Sequence, residues 1–291
     1  MANPARRLTE NVPGDFYVDD TCIDCDACRQ IAPTVFRDHG EQSSVFRQPE
    51  TDEEVRRALM SIVACPTSSI GTTRKYDARV GVEAFPERID GGVYYCGFNA
   101  ESSFGAWSYL VVRSEEEGGN VLVDSPRFTR PLVRRIEALG GLGTIFLTHR
   151  DDVADHDKFA KHFGARRVMH ADDNAARYGV ERVVGGGEAI GLDRDLLVIP
   201  TPGHTRGHAV LLYRDKYLFT GDQLAWSPTR DTLTAFRSAC WYSWTAQTQS
   251  MEKLLDYEFE WVLPGHGRIH HDSAANMRKS VRDCIEWMNT V

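Results

Sequence analysis

Four short stretches, always in one order, constrain this chain most: THRDDVADH ending at His156, PGHTRGH ending at His208, TGD ending at Asp222 and PGHG ending at Gly267. Each follows an apolar run that reads as a strand, and all four present an imidazole or a carboxylate in a loop. Such groups can meet only if the strands lie side by side with those ends together, which is how a polynuclear metal site is assembled. His149, His204 and His266 follow strand-like runs, Asp222 follows KYLFTG, and Asp155 and His156 stand at a helix start, where adjacent side chains splay. Donors of this kind on rigid strand ends suit zinc or iron, with manganese as a further occupant.

A second metal signature precedes them. Cys22, Cys25 and Cys28 stand at two-residue gaps, and a distant Cys65 is followed at once by Pro66. A tight loop can turn three thiolates inward onto one face of a cubane while a remote Cys-Pro supplies the fourth corner. Zinc is the competing occupant, although it usually takes two paired knuckles rather than a triplet plus a remote residue. Asp19, Asp20, Asp24 and Asp26 place negative charge nearby, which would lower the potential of a cluster; as ordinary loop solubilisers they would do nothing of the kind. Cys96, Cys240 and Cys284 are far apart and read as buried free thiols.

Composition bounds the rest. The 291 residues, 42% hydrophobic and 26% charged, describe a globular chain of about two domains. A formal charge of -8 disfavours a nucleic-acid partner, whose phosphates need clustered Lys and Arg. No apolar run approaches the roughly 20 residues that span a bilayer, and MANPARRLTENVPGD lacks a secretory apolar stretch, so a cytoplasmic location without membrane association is expected.

Periodicity predicts a compact unit over 14–73, with FYVDD and SSVF as strands and CRQIA and DEEVRRALMSIVAC as helices. Residues 74–90, polar and broken by Pro86, read as a linker. From 91 to 291 strand and helix signals alternate: VYYCGF, SYLVVR, NVLVDS and TIFLTH as strands around the helix TRPLVRRIEALGG, then DKFAKHF helical, DLLVIP, AVLLYR and KYLFTG as strands, and TAQTQSMEKLLDY and AANMRKSVRDCIEWMN as helices.

Through CIDCDACRQIAPTVF and CPTSSIG the N-terminal unit resembles the bacterial ferredoxins that carry one cluster, which implies a single [4Fe-4S] cluster on Cys22, Cys25, Cys28 and Cys65. From about 90 to 270 the ordered loops, with VDSP at 123–126, resemble the metallo-beta-lactamase superfamily. The resemblance implies an α+β chain: a ferredoxin-like domain followed by a four-layered αβ/βα sandwich with a site for one or two divalent ions. It further implies His149, His204 and Asp222 on one metal and Asp155, His156, Asp222 and His266 on the other, with Asp222 bridging and His208 as a hydrogen-bonding support. This chain departs from the superfamily's His-x-His-x-Asp-His, since the second histidine is missing and the loop is two residues longer. Aligned from the front, Asp151 takes its place; aligned from the back, Val153 does. Asp151 or Asp152 there would add a hard oxygen donor and favour iron or manganese over zinc. Asp152 could otherwise cap the following helix or support a ligand imidazole.

Paired cations bring a shared water toward a neutral pKa and polarise a carbonyl, so water attack on an ester, thioester or amide of a small-molecule substrate is the leading expectation, with Asp155 and Asp222 in catalytic positions. The competing expectation is an iron-dependent redox enzyme fed electrons by the ferredoxin unit and a redox partner protein. A third is an inactive binding or electron-carrier module. Trp226, Phe236, Trp241, Tyr242 and Trp244 are candidates for a substrate wall or for core packing.

Overall fold

The computed structural model describes residues 2–291. Its contacts divide the chain into two units, Met1–Leu110 with Pro126–Gly140, and Val111–Ser125 with Gly141–Val291.

The first unit begins with β1 (Phe16–Val18), α1 (Ala27–Ile31), β2 (Phe36–Asp38), β3 (Ser43–Val45), α2 (Asp52–Ala64) and β4 (Ile70–Thr72). β1 pairs antiparallel with β4, and β2 with β3. Thr51 opens α2 with a capping box: its hydroxyl accepts from the Glu54 N–H, and the Glu54 carboxylate accepts from the Thr51 N–H. The helix stops at Cys65 because Pro66 has no N–H with which to continue it. Phe16, Val18, Val35, Phe36 and Leu59 form a core that also takes in Cys28 and Cys65, so two of the four cluster cysteines rise from packed backbone.

Residues 74–90, read as a linker, are structured. α3 (Arg79–Glu83) lies there, and β5 (Glu87–Asp90) pairs antiparallel with β6 (Val93–Tyr95), while Glu87 forms an ion pair with Arg57 of α2. The turn residues Pro86, Gly91 and Gly92 bracket a strand rather than mark a free connector. The compact unit accordingly runs on to Leu110 instead of ending near residue 73.

β7 (Tyr109–Val111) leads into the second unit, which holds β8 (Val121–Val123). After α4 (Arg130–Ala138) of the first unit come β9 (Thr144–Phe146), α5 (His156–Phe163), β10 (Arg166–His170), α6 (Ala175–Tyr178) and β11 (Arg182–Val184). β8, β9, β10 and β11 are successive neighbours and all parallel. A second sheet follows from β12 (Ile190–Gly191), β13 (Leu196–Pro200), β14 (Ala209–Tyr213), β15 (Tyr217–Gly221), β18 (Trp261–Pro264) and β19 (His270–His271), in that spatial order. Between β15 and β18 the chain makes the hairpin of β16 (Ala225–Ser227) and β17 (Thr232–Thr234) and the helix α7 (Trp244–Leu254), and it closes with α8 (Ala274–Met288).

β13 and β15 each pair antiparallel with β14, and β15 pairs parallel with β18. β13, β15 and β18 therefore point one way. On one face Ile199, Val210, Leu212, Leu218 and Val262 pack against Met251 and Leu254 of α7 and Met277, Val281 and Ile285 of α8. Their alternates Val198, Leu211, Phe219 and Leu263 are fully buried as well, so the sheet is covered on both faces. Each such aliphatic side chain contributes about 1.5–3 kcal/mol on burial, which makes the strand ends a rigid platform.

Candidate functional site

Five loop segments of the second unit start where strands of common direction end. β8 delivers Asp124, β9 Thr148 and His149, β13 His204, β15 Asp222 and β18 His266. Asp222 is the hub: its Oδ2 lies 3.8 Å from His149 Nε2, 3.6 Å from His204 Nε2 and 3.9 Å from His266 Nε2. Two donor sets share it. His149, His204 and Asp222 form one, Asp152, Asp222 and His266 the other, and within each set the donor atoms lie within 4.8 Å of one another. Asp151 Oδ2 sits 3.5 Å from His204 Nε2 at the open side of the first set.

Several of the donor atoms lack any hydrogen-bond partner among the described residues: His149 Nε2, His204 Nδ1 and Nε2, Asp152 Oδ2 and Asp222 Oδ1 are buried without one. An orphaned buried polar atom costs roughly 1–3 kcal/mol, and several aimed at one point fit a cation. Glycines permit the approach. A Cβ on Gly265 would stand 2.7 Å from Asp152 Oδ2 and 3.0 Å from Asp222 Oδ1, and one on Gly221 would stand 2.6 Å from Thr148 Oγ1 and 2.8 Å from His208 Nε2.

Supporting hydrogen bonds set the tautomers. With His149 Nε2 left as a lone pair, Nδ1–H donates to Thr148 Oγ1 at 2.9 Å, and that hydroxyl donates to Asp124, 2.9 and 3.0 Å from its two oxygens. His208 Nε2 accepts the Asp222 N–H at 3.2 Å, so its Nδ1–H donates to Thr201 Oγ1 at 2.9 Å. His208 thus orients the hub rather than joining the donors. Asp173 ties the two histidine loops together, accepting from Arg150 N–H, Thr205 Oγ1 and Gly207 N–H.

Electrostatics favour a cation. Burial lowers the His149 pKa well below the ordinary imidazole value, and the neighbouring histidines add to this. Burial also opposes charge on His204, but Asp151 and Asp222 outweigh it and raise its pKa. Burial pushes Asp152 well up, with Asp222, Asp124 and Asp151 adding repulsion. Asp124 is pushed up to about 8 by burial, against the pull of the Thr148 hydrogen bonds. Without metal, the folded protein holds protons on Asp124 and Asp152 that an unfolded chain, with carboxyls near 3.8, has lost. Native-state proton excess means stability that falls as pH rises. The expected result is that metal-free protein loses stability between about pH 6.5 and 8, by up to about 1.4 kcal/mol per pH unit for each carboxyl still protonated, whereas below that window His149 and His208, held neutral by burial, act in the opposite sense. Manganese or zinc should remove that slope and release protons on binding. Denaturant unfolding at several pH values, with and without metal, measures both.

Two expected ligands lie elsewhere. His156 opens α5, with Nδ1 3.5 Å from Arg167 Nη1 and its ring against Tyr178, and the Asp155 carboxylate meets Lys158 Nζ at 2.6 Å. Burial and Arg167 lower the His156 pKa. Neither residue belongs to a donor set. The longer loop is the reason: its two extra residues carry the start of α5 past the site, and Asp152, three after His149, takes the position. Asp155 is accordingly no candidate for a catalytic position. Asp151, which the front alignment puts in the missing histidine's place, lies beside His204 Nε2 without belonging to either donor set. Asp152, weighed from the sequence as a stand-in oxygen donor or as a cap, belongs to the second donor set, whereas Asp124 was noted only within VDSP and Asp173 carried no signal at all.

In the first unit the four cysteines line one small pocket together with Val18, Ile23, Ser43 and Ser69. Ser43 N–H donates to Cys22 Sγ at 3.4 Å and Ser69 N–H to Cys65 Sγ at 3.3 Å. Burial pushes the Cys25 thiol to about 12 and raises Cys22 and Cys28, so thiolates here need cations, as an iron cluster provides. The donor set and its N–H bonds fit the cluster. The expected field of aspartates is offset in part, by two guanidinium groups. Asp20 pairs with Arg6, Asp24 and Asp26 pair with Arg29, and Asp19 accepts from Asn3 and Thr21. Two of the remaining cysteines, Cys96 and Cys284, are buried, whereas Cys240 is half-exposed with its thiol donating to Gly203 O.

Residues 18–72 match the family model of the 4Fe-4S single cluster domain of Ferredoxin I. The chain is similar to the hydroxyacylglutathione hydrolases of Acidiphilium cryptum, 34% identical over 37% of this chain and 45% of that one, and of Klebsiella pneumoniae, 33% identical over 40% and 47%. It thus spans less than half the length of these relatives. Among solved structures it resembles the DIM-1 metallo-beta-lactamase, with TM-score 0.53 and 20% identity over 69% of this chain and 95% of that one. A metallo-beta-lactamase from Pontibacter korlensis aligns with TM-score 0.50 and 17% identity over 70% and 98%. At such identities the likeness establishes the fold. The protein has the metallo-beta-lactamase fold. Its N-terminal portion resembles the single-cluster ferredoxin-type domains over residues 18–72. No helix among the described residues is long and apolar enough to cross a membrane.

Proposed function

We propose that the chain is a metal-dependent hydrolase of small acyl esters or thioesters. The observation that carries this reading is the convergence of otherwise unpartnered donor atoms of His149, His204, Asp152 and Asp222 at the ends of β9, β13 and β15. The fit with hydroxyacylglutathione hydrolases, relatives named for hydrolysis of an acyl substrate, supports it. Divalent cations held there by His149, His204, Asp222, Asp152 and His266, with Asp151 at the open side, would supply Lewis-acid activation of water and of an acyl carbonyl. Asp222 holds both sets in register, and His208 fixes its backbone. No serine or cysteine nucleophile is called on.

Two aromatics mark where substrate enters. The N–H groups of Trp241 and Tyr242 both donate to His204 O, so these rings, 61% and 53% exposed, are tied to the first donor set. Trp244 and Trp226 pack against the core and Phe236 is half-buried, which leaves Trp241 and Tyr242 as the contact for the apolar part of an acyl group. Purified protein loaded with zinc, iron or manganese is expected to hydrolyse thioesters, with Trp241→Ala raising KM roughly tenfold at nearly constant kcat. Absence of turnover on thioesters, lactones and phosphodiesters in every metal form overturns the proposal.

A second reading rests on the donor set. Asp151 and Asp152 make it richer in oxygen than an all-histidine site, which favours iron or manganese. With a cluster domain in the same chain, an iron centre exchanging electrons with a redox partner protein is the alternative. Ferrous protein that consumes oxygen or binds nitric oxide, and hydrolyses nothing, would select it.

A further inference from the structure

Cys25 is the cluster ligand with the least settled backbone. Asp24 and Asp26, on either side of it, both hold left-handed conformations, with φ of 60° and 64°, which side-chain-bearing residues rarely adopt. Cys25, like Cys22, is partly exposed, whereas Cys28 and Cys65 are buried. Cys25 differs from the others in standing between two left-handed residues, so its direction depends on what holds Asp24 and Asp26.

One side chain spans that corner. Arg29, 7% exposed, donates from Nε to Asp26 Oδ1 at 2.5 Å and from Nη1 to Asp24 Oδ1 at 2.8 Å. Its own N–H also bonds Asp26 O at 3.0 Å. Outward, Nη1 meets the exposed Asp38 at 3.2 Å. From the other side Gly105 closes on the same loop: a Cβ there would stand 2.7 Å from Cys25 Cβ and 2.9 Å from its sulfur. Cys25 sits between a clamp and a wall. A planar guanidinium can hold two carboxylates in fixed directions at once, and an ammonium cannot.

We propose that Arg29 is a positioning residue for the cluster: its guanidinium, forked across Asp24 and Asp26, keeps the Cys25 sulfur on the fourth iron and so protects the four-iron form against oxidation. The process resisted is balanced as follows. One electron passes from [4Fe-4S]2+ to an added oxidant such as ferricyanide, giving [4Fe-4S]3+. This separates into [3Fe-4S]+ and Fe2+, and the freed Cys25 thiolate takes a proton from water. The inference is independent of the hydrolase reading.

The test uses the full chain carrying its cluster, prepared without oxygen and challenged with ferricyanide. Electron paramagnetic resonance follows the three-iron signal, and iron and sulfide are counted. Arg29→Gln is expected to form the three-iron cluster roughly tenfold faster than the parent protein, Arg29→Lys to lie nearer the glutamine variant than the parent, and Asp38→Asn to match the parent. Equal rates for Arg29→Gln and the parent overturn the proposal. Parent-like behaviour of Arg29→Lys overturns it too, because charge alone would then suffice. If Arg29→Gln takes up no cluster, Asp24→Asn and Asp26→Asn each weaken one arm of the fork with Arg29 in place. Faster loss of iron in both supports the clamp, and parent-like rates in both refute it.

Discussion

Asp222→Asn abolishes metal binding at both donor sets and with it turnover. Asparagine keeps the shape but replaces one carboxylate oxygen by an amide nitrogen, which has no lone pair to offer a cation, and the charge disappears. The three imidazoles would then surround an atom unable to hold a metal between them, since Oδ2 is the position they share at 3.6 to 3.9 Å. Loss of Lewis-acid stabilisation worth several kcal/mol lowers kcat/KM by roughly 10³-fold or more. Metal analysis after dialysis is the direct measurement, and retention of two metals per chain by the variant would refute the hub. The variant is expected to stay folded, and to melt no lower than the metal-free parent, because the buried charge that opposes ionisation of Asp152 and Asp124 has been removed.

Asp152→Ala separates the arrangement seen here from the one the family pattern implies. It removes a donor from the second set and is expected to cost one metal per chain and at least about 10²-fold in kcat/KM. His156→Ala and Asp155→Ala are expected to keep both metals and stay within about threefold of the parent, since one ring packs between Arg167 and Tyr178 and the other carboxylate pairs with Lys158. The reverse ranking, with Asp152→Ala silent and His156→Ala stripped of a metal, would restore the back alignment. Gly265 gives an independent handle on the same geometry, as it alone makes room for the Asp152 and Asp222 oxygens.

Much of this site was legible in the residue order. His149, His204, Asp222 and His266 each follow an apolar run of strand character, and a strand end is a position that one-dimensional periodicity locates well. The cysteine triplet was equally plain, because two-residue gaps bring sulfurs together through local backbone alone. The aspartates around it illustrate the opposite case. Charge could be counted along the chain, yet its partial offset by Arg6 and Arg29 depended on side-chain pairing.

The rest needed the tertiary structure, for two reasons. Loop residues have no periodicity to place them, so the donors among Asp151, Asp152, Asp155 and His156 were decided by where α5 begins in space. Long-range supports such as Asp173 and Asp124 act on residues brought near by sheet pairing, and adjacency across a sheet is absent from linear order. The chain alone thus pointed to two groups of metal-seeking side chains and to the elements that bear them. Packing alone decided which acidic side chain completes the second donor set, how the histidines are held, and that residues 74–90 belong to a folded unit, because each of these depends on distances between segments remote in sequence.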